Sequence, residues 1–318
     1  MTHHEPIRIG SRGSDLALWQ ARWVQRTLQE RQHGLATTVE IIKTTGDRIL
    51  DAPLASIGDK GLFTREIERA LLEGRIDLAV HSLKDLPTAL PEGCELGAVT
   101  EREDVRDVFV PHPGNPLRTL GAQPAGAVIA TGSLRRKCQL LHLRPDLATA
   151  EIRGNLNTRM KRLEQSAWAG MILARAGVVR LGWDSIIGET LEPDLMLPAV
   201  GQGALGIEIR SGDERIRNLV AHLDHLPTRQ ETTAERALLR RLEGGCQIPI
   251  GTYATIRQGG LILSLKAMVG SLDGKRIVRG GVEGDPANAA AVGEELARAL
   301  LAAGAGKILE EIRRGGKE

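Results

Sequence analysis

The sequence predicts an α/β protein of two similar lobes with parallel-rich sheets, followed by a smaller α+β unit. Three observations carry that expectation. The first 210 residues alternate short β-branched runs with longer runs of helical period, the pattern of sheets covered by helices. Two stretches repeat one local plan, in which a strand runs into a small hydroxyl-and-arginine turn and then a helix: Ser11-Arg12-Gly13-Ser14 in one, Thr131-Gly132-Ser133-Leu134-Arg135-Arg136 in the other. From about Arg229 the pattern changes to helix, three strands and helix, the order of a separate α+β unit.

Residues 6–10 read as a strand, and Ser14 as the cap of a helix over 15–32 in which Leu16, Trp19, Trp23, Val24, Thr27 and Leu28 recur at helical spacing. A strand is expected at 39–43, a Gly/Asp-rich loop at 46–61 and a helix at 62–73. Residues 77–80 form a short buried strand that ends at His81-Ser82-Leu83-Lys84-Asp85-Leu86-Pro87. Those polar residues therefore sit past a strand's carboxyl end, where open α/β sheets bind ligands. The second lobe begins near Asp107, with strands at 127–130, 149–152 and 171–174 and helices at 133–144 and 156–166. The third unit has a helix to Glu243, strands near 251–257, 261–269 and 276–282, and a helix over 286–303. Residues 313–317 read as a frayed end. Two lobes facing each other would enclose a cleft lined by helix N-termini, a favourable setting for anions.

The chain has 318 residues, 42% hydrophobic and 26% charged, with a mean hydropathy of −0.15, which argues against disorder and a fibrous fold. Aromatic residues are only 2%, too few for a platform that stacks single-stranded nucleic acid, and the net charge of +2 is small for a nucleic-acid binder. No run approaches 18 apolar residues, and residues 1–6 open no charged-then-apolar secretory pattern, so a cytoplasmic protein without a membrane partner is expected. Cys94, Cys138 and Cys246 are odd in number and far apart, which suggests neither a disulfide framework nor a CxxC metal knuckle. Of the 42 basic residues 33 are Arg and 9 Lys. Arg is the better grip for carboxylates and phosphates, although a high-GC genome also enriches it.

Eight Lys or Arg lie between Thr131 and Arg162 against Asp146 and Glu151. A solvated helix face would account for them. Against that, Arg135 and Arg136 fall in a first helical turn, where a cation opposes the macrodipole and a bound anion would relieve it. Arg153 and Arg159 flank the next strand-to-helix turn, and with Arg12 they point to several bound carboxylates or phosphates. In His81-Ser82-Leu83-Lys84-Asp85 a local Lys–Asp pair is the plain reading. A carboxylate among many cations would instead stay ionised and could stabilise a developing cation or exchange protons with an amine. His81 alone is more often a satisfied buried histidine than a base. Gly201-Gln202-Gly203-Ala204-Leu205-Gly206 matches GxGxxG, but it follows Leu197-Pro198 and runs into Ile207-Glu208-Ile209, a strand. A dinucleotide fingerprint must open a helix, so these glycines read as a hinge or crossover back into the first lobe. Cys246 follows a helix C-terminus, which does not favour a thiolate. It is either a simple buried cysteine or, held on an accessible glycine-flanked turn, a point of covalent attachment.

Taken together, Arg8-Ile9 through Ser14 with Leu16-Ala17-Leu18-Trp19-Gln20, Thr45-Gly46-Asp47, Lys60-Gly61-Leu62-Phe63, Ala79 to Asp85, Ser133-Leu134-Arg135-Arg136, Arg153-Gly154-Asn155, Leu197 to Ala204 and the Leu242 to Gly251 cysteine loop resemble the porphobilinogen deaminase (hydroxymethylbilane synthase) family, over residues 7–309. The resemblance implies a transferase of tetrapyrrole (porphyrin, heme) biosynthesis that joins four porphobilinogen molecules head to tail, releases four ammonia molecules and frees hydroxymethylbilane. It implies a dipyrromethane cofactor bound through a thioether to Cys246, and no metal. Asp85, Lys84 and Arg12 would be catalytic, with Asp85 stabilising the cation formed when the substrate loses its amine. Lys84, Asp85, Ser82, Ser133, Arg135, Arg136, Thr131 and Asp47 would bind the cofactor. Arg12, Ser14, Phe63, Arg153, Arg159, Arg180 and Gln202 would bind substrate, with Phe63 and Lys60 on a covering loop. The fold implied is two periplasmic-binding-protein-like lobes, 1–102 with 201–224 and 103–200, and a domain at 225–318 carrying the cofactor cysteine. A monomer is expected. Ser56 departs from a lysine common in the family and Gly132 from a usual serine, changes expected to alter affinity rather than the reaction. Two other readings use the same residues: a non-catalytic anion-binding protein of the same two-lobed architecture, which has no use for Cys246, and a nucleic-acid binder using residues 131–162.

Overall fold

The computed structural model describes residues 5–48, 63–242 and 248–315. In chain order the elements are β1 (Ile7–Ser11), α1 (Asp15–Arg31), β2 (Thr37–Ile41), α2 (Thr45–Arg48), α3 (Arg65–Leu72), β3 (Leu78–Ser82), β4 (Cys94–Val99), β5 (Asp107–Pro111), β6 (Val128–Ala130), α4 (Leu134–Leu143), β7 (Ala148–Ala150) and α5 (Leu156–Glu164). They continue with β8 (Gly170–Ala174), α6 (Arg175–Arg180), β9 (Glu189–Leu191), β10 (Leu205–Arg210), α7 (Glu214–Val220), α8 (Leu226–Arg241), β11 (Ile250–Arg257), β12 (Ile262–Gly270), β13 (Ile277–Gly284), α9 (Ala289–Leu300) and α10 (Gly306–Gly315). The described residues divide into two compact units, 5–48 with 63–103 and 203–229, and 104–202 with 230–242 and 248–315.

The first unit is built on a five-stranded sheet in the order β2-β1-β3-β10-β4. β1 pairs in parallel with β2 and β3, whereas β10 pairs antiparallel with β3 and β4. Ser14 caps α1, its hydroxyl accepting from the Ala17 amide at 3.4 Å, and this satisfies one of the amides that a helix start leaves free. The apolar stripe Ala21, Val24 and Leu28 of α1 then packs with Ile7, Ile9, Leu78, Val80, Ile207 and Ile209. A Cβ on Gly10 would come within 2.3 Å of the Ile76 side chain.

The second unit contains a five-stranded sheet, β7-β6-β8-β5-β9, and a three-stranded antiparallel sheet, β11-β12-β13. In the larger sheet β6 runs parallel to β7 and β8, and β5 antiparallel to β8 and β9. The smaller sheet packs Leu263, Leu265 and Ala267 against Leu238 of α8, Leu296 of α9 and Ile308 of α10. Cys138, Leu197 and Met268 form one further cluster, and a Cβ on Gly270 would lie 2.2 Å from the Cys138 sulfur.

The expected strands and helices are present with shifted ends: the first strand is 7–11 rather than 6–10, the second 37–41 rather than 39–43, and the third 78–82 rather than 77–80; the expected loop at 46–61 is helical at its start, Thr45–Arg48, and lies from residue 49 on outside the described residues. Two differences are larger. The sequence reading omits β4, β5 and β9, so half of the strand pairings in the two five-stranded sheets prove antiparallel. Of the expected frayed end at 313–317, residues 313–315 are helical instead, because Ile308 and Leu309 are buried in the core of the smaller sheet and Arg313 Nη2 donates to the Leu242 carbonyl at 3.1 Å; residues 316–317 lie outside the described residues.

Candidate active site

In the first unit the turn after β1, the start of α1 and the end of β3 converge on a solvent-open hollow lined by Arg12, Ser14, Gln20, Phe63, His81, Ser82 and Asp85, among others. The convergence follows from topology, since β1 and β3 are adjacent parallel strands whose carboxyl ends lie side by side. The Arg12 guanidinium carbon is 4.2 Å from the centroid of the Phe63 ring, a cation–π contact that orients the cation. Gly46 backs the same ring: a Cβ there would meet Phe63 at 2.2 Å. Asp85 closes a single 3₁₀ turn, Leu83–Asp85, after β3, and is exposed. The turn is held by the Leu83 amide, which donates to the Ala204 carbonyl at 3.0 Å. Ser82 Oγ accepts from the buried Gln20 side chain at 2.8 Å. The hollow thus offers an exposed carboxylate, a guanidinium and the N-terminus of a 17-residue helix, groups that can hold an anionic substrate and balance a positive charge developing on it.

In the second unit Thr131 and Ser133 form the start of α4. Thr131 Oγ1 accepts from the Ser133 amide at 3.2 Å, and Ser133 Oγ from the Arg136 amide at 3.4 Å. Arg135 and Arg136 turn inward. Arg135 Nη1 donates to Asp107 Oδ2 at 2.7 Å and to the Leu197 carbonyl at 2.6 Å, and Arg136 Nη2 donates to Asp107 Oδ1 at 2.8 Å. Gln202 Nε2 donates to the same Asp107 Oδ1 at 2.8 Å and to the Val105 carbonyl at 2.7 Å. Burial alone would raise the Asp107 carboxyl, but the charges of Arg135 and Arg136 outweigh it and hold the group well below the usual carboxylate range. The anion that the first-turn arginines call for is therefore, in this structure, a side chain of the protein itself. One carboxylate still serves two guanidiniums, and the Nε atoms of both are buried without an acceptor among the described residues.

Arg153 and Arg159 flank Gly154 as expected. Arg159 Nε donates to the Gly154 carbonyl at 2.8 Å, and Arg153 Nε to Glu151 Oε1 at 3.1 Å, while Arg153 Nη2 is buried without an acceptor among the described residues. Arg180 ends α6. Surplus buried guanidinium donors of this kind suit a group that carries several carboxylates. Among the described residues no cluster of three or more His, Cys, Asp or Glu could hold a metal, and no helix is long and apolar enough to cross a membrane.

Arg12, Ser14, Phe63, Ser82 and Asp85 thus come together around one hollow, and Arg135, Arg136 and Gln202 around Asp107. Lys84 belongs to the Asp85 turn without lining the hollow. Cys246, Lys60, Ser56 and the side chain of Asp47 lie outside the described residues. Sequence reading missed Gln20 as a lining residue, Asp107 as the hub and Glu208 as the partner of His81. Asp107 and Glu208 do carry a signal, each being a lone acid in an apolar strand run, Asp107-Val108-Phe109-Val110 and Leu205-Gly206-Ile207-Glu208-Ile209.

Residues 7–218 match the family model described as "Porphobilinogen deaminase, dipyromethane cofactor binding domain", and residues 229–302 match "Porphobilinogen deaminase, C-terminal domain". The porphobilinogen deaminase of Moorella thermoacetica is 51% identical over 307 residues, 96% of either chain. That of Chloroherpeton thalassium is 53% identical over 309 residues, 96% of this chain and 97% of the relative. Among solved structures, the probable amino-acid ABC transporter extracellular-binding protein ytmK from Bacillus subtilis aligns with a TM-score of 0.40 at 10% identity, over 69% of this chain and 90% of that one.

Proposed function

The chain belongs to the porphobilinogen deaminase family, and from that premise we propose which of its residues perform the reaction. The family's enzyme is a transferase that polymerises porphobilinogen into hydroxymethylbilane with loss of ammonia, in tetrapyrrole biosynthesis. Its dipyrromethane cofactor supplies the covalently bound primer that is extended.

Asp85 is the group we assign to the chemistry. Loss of the substrate's amine leaves a cationic methylene-pyrrole, and an ionised carboxylate beside it lowers the barrier by balancing that charge. The same carboxylate can accept the proton that the coupled pyrrole carbon sheds as the ring regains its aromaticity. Arg12 pairs with an acetate or propionate of porphobilinogen, Ser14 and the α1 N-terminus receive a second acid group, and Phe63 covers the ring while fixing Arg12. Lys84, next to Asp85, is assigned as a further catalytic residue and as a cation for the cofactor's acid groups. The single observation that carries this reading is the convergence of Arg12, Ser14 and Asp85 on one hollow.

In the second unit we assign Thr131, Ser133, Arg135, Arg136, Arg153, Arg159, Arg180 and Gln202 to the carboxylate-rich pyrroles, with Asp107 fixing the arginine pair. The surplus of buried guanidinium donors over acceptors supports this assignment. Cys246 is the proposed point of attachment, and Asp47 a further cofactor contact. We further propose the three-part division 1–102 with 201–224, 103–200 and 225–318, a cytoplasmic monomer, and no nucleic-acid partner, a reading that the scarcity of aromatic residues and the net charge of +2 support.

Asp85→Asn tests the central assignment. It should keep the fold and lose porphobilinogen consumption by about 10²- to 10⁴-fold, the usual contribution of a proton-transfer group. Near-normal turnover would refute the role of Asp85. Intact mass of the denatured protein with peptide mapping tests the attachment: an excess of two linked pyrrole units on Cys246 is expected, and a chain that stays unmodified after incubation with porphobilinogen would overturn it.

A further inference from the structure

Glu208 interrupts an apolar strand and is fully buried, 0% exposed. It lies on β10, where Gly206 pairs with His81 and Glu208 with Ala79 of β3. Its Oε2 is 3.0 Å from His81 Nε2, a separation of 127 residues in sequence bridged inside the sheet. With Nε2 as donor and Oε2 as acceptor, the contact gives the imidazole one tautomer and one orientation.

The pair sits in a buried cluster in which the Cys94 thiol is a further hydrogen-bond partner of Glu208. Cys94 of β4 and Glu68 of α3 are the other titratable groups beside it. Burial raises the Glu68 carboxyl, and burial with the neighbouring carboxylates pushes the Cys94 thiol up to about 12. Both neighbours are thereby held toward their neutral forms. A buried carboxylate placed so that it can hold one histidine is an expensive way to fill a sheet, because an apolar residue of similar volume is often at least as stabilising.

His81 also lines the hollow that Asp85 lines, and three residues of chain separate the two. Between them Ser82 is tied by the Gln20 side chain and Leu83 by the Ala204 carbonyl. The strand end that carries Asp85 is thus tied at three successive residues, and only the tie at His81 has a charged partner. We propose that His81 and Glu208 are positioning residues for Asp85: their charge-assisted hydrogen bond locks the end of β3, and through it the 3₁₀ turn that presents the Asp85 carboxylate to the hollow. The inference rests on the reading that Asp85 acts on the substrate.

Glu208→Gln keeps the volume and permits a neutral hydrogen bond, so it removes the charge while sparing the packing. In the purified holoenzyme kcat should fall by roughly 10- to 100-fold, the effect of a small misplacement of a reacting group, while KM for porphobilinogen stays within about twofold. Proton NMR supplies a readout independent of turnover. A low-field imidazole N–H resonance should be present in the natural protein, displaced in Glu208→Gln and lost in His81→Gln. Should Glu208→Gln fail to fold, His81→Gln decides by the same kcat and KM split. Unchanged kcat, an equal rise in KM, or no low-field resonance that His81→Gln removes would overturn the proposal. Asp85→Asn run alongside separates the two ideas. Its near-normal turnover would defeat the reading of Asp85 itself, whereas its inactivity together with an unaffected Glu208→Gln would defeat only the positioning role.

Discussion

Asp107 and Arg135 form an ion pair of 2.7 Å in which the carboxylate is 0% exposed and the guanidinium side chain 5%. Arg136 and Gln202 donate to the other carboxylate oxygen, Oδ1. The pair fixes the first turn of α4, so the same residues that the sequence offers as ligands for an external anion also hold the second unit together. Removing one partner of a buried pair leaves the other charge uncompensated, at a cost of about 3–5 kcal/mol. Asp107→Asn should therefore lower unfolding stability by that amount in urea titrations. A loss under about 1 kcal/mol would mean that the arginines find other acceptors.

Acid should expose the same interaction. The folded Asp107 carboxyl is depressed by Arg135 and Arg136 despite its burial, while an unfolded aspartate titrates at about 3.9. The stability it contributes is complete above the unfolded value and is lost as pH falls from there toward the depressed folded value. Between about pH 4.5 and 2.5 the natural protein should lose stability more steeply than Asp107→Asn, by up to one proton's worth, about 1.4 kcal/mol per pH unit. Parallel slopes in urea titrations across that range would refute the assignment.

Much of this fold is legible in the sequence because helices and parallel strands announce themselves locally. Ser14, Ser133 and Asn155 each cap the helix that follows them, and the apolar periodicity of α1 points to the face it buries. What escaped is what depends on distant partners. β4, β5 and β9 are short strands without alternation, recognisable only by the strands they pair with. The break at Gly304, with φ of 103°, hides that the chain resumes as α10. The site divides in the same way. Asp85 was visible from its place after a strand, but the partner of Arg135 and Arg136 lies 28 and 29 residues away and the partner of His81 on another strand. The arginines accordingly looked like free cations and the histidine like an ordinary buried one.

Arg153 is poised differently from the Asp107 pair. Its Nε is anchored by the exposed carboxylate of Glu151, and its buried Nη2 has no acceptor among the described residues. Arg153→Ala should leave stability nearly unchanged and cost a charge-assisted hydrogen bond to a pyrrole carboxylate, about 1.5–3 kcal/mol. That corresponds to about 10- to 100-fold in kcat/KM. Mass spectrometry of the enzyme during turnover should show shorter bound chains accumulating. An unchanged distribution of bound species would remove Arg153 from the binding set.

Gly132, which the sequence resemblance marks as a departure from serine, sits where any Cβ would lie 2.4 Å from the Ile152 carbonyl oxygen. The obstacle is backbone, so a side chain at 132 cannot be accommodated by a rotamer change; the chain at Ile152 must move, and Arg153 follows it. Gly132→Ser should thus behave as an overpacking change, destabilising by about 1–3 kcal/mol, and should weaken porphobilinogen use through the displaced Arg153 rather than improve it through the added hydroxyl. Urea unfolding and kcat/KM measured on the same preparation check both halves. A serine variant as stable as the natural protein and with higher kcat/KM would show that the turn relaxes without disturbing Arg153 and that the hydroxyl binds an acid group, which would make Gly132 a loss of function in this chain rather than an adaptation of its turn.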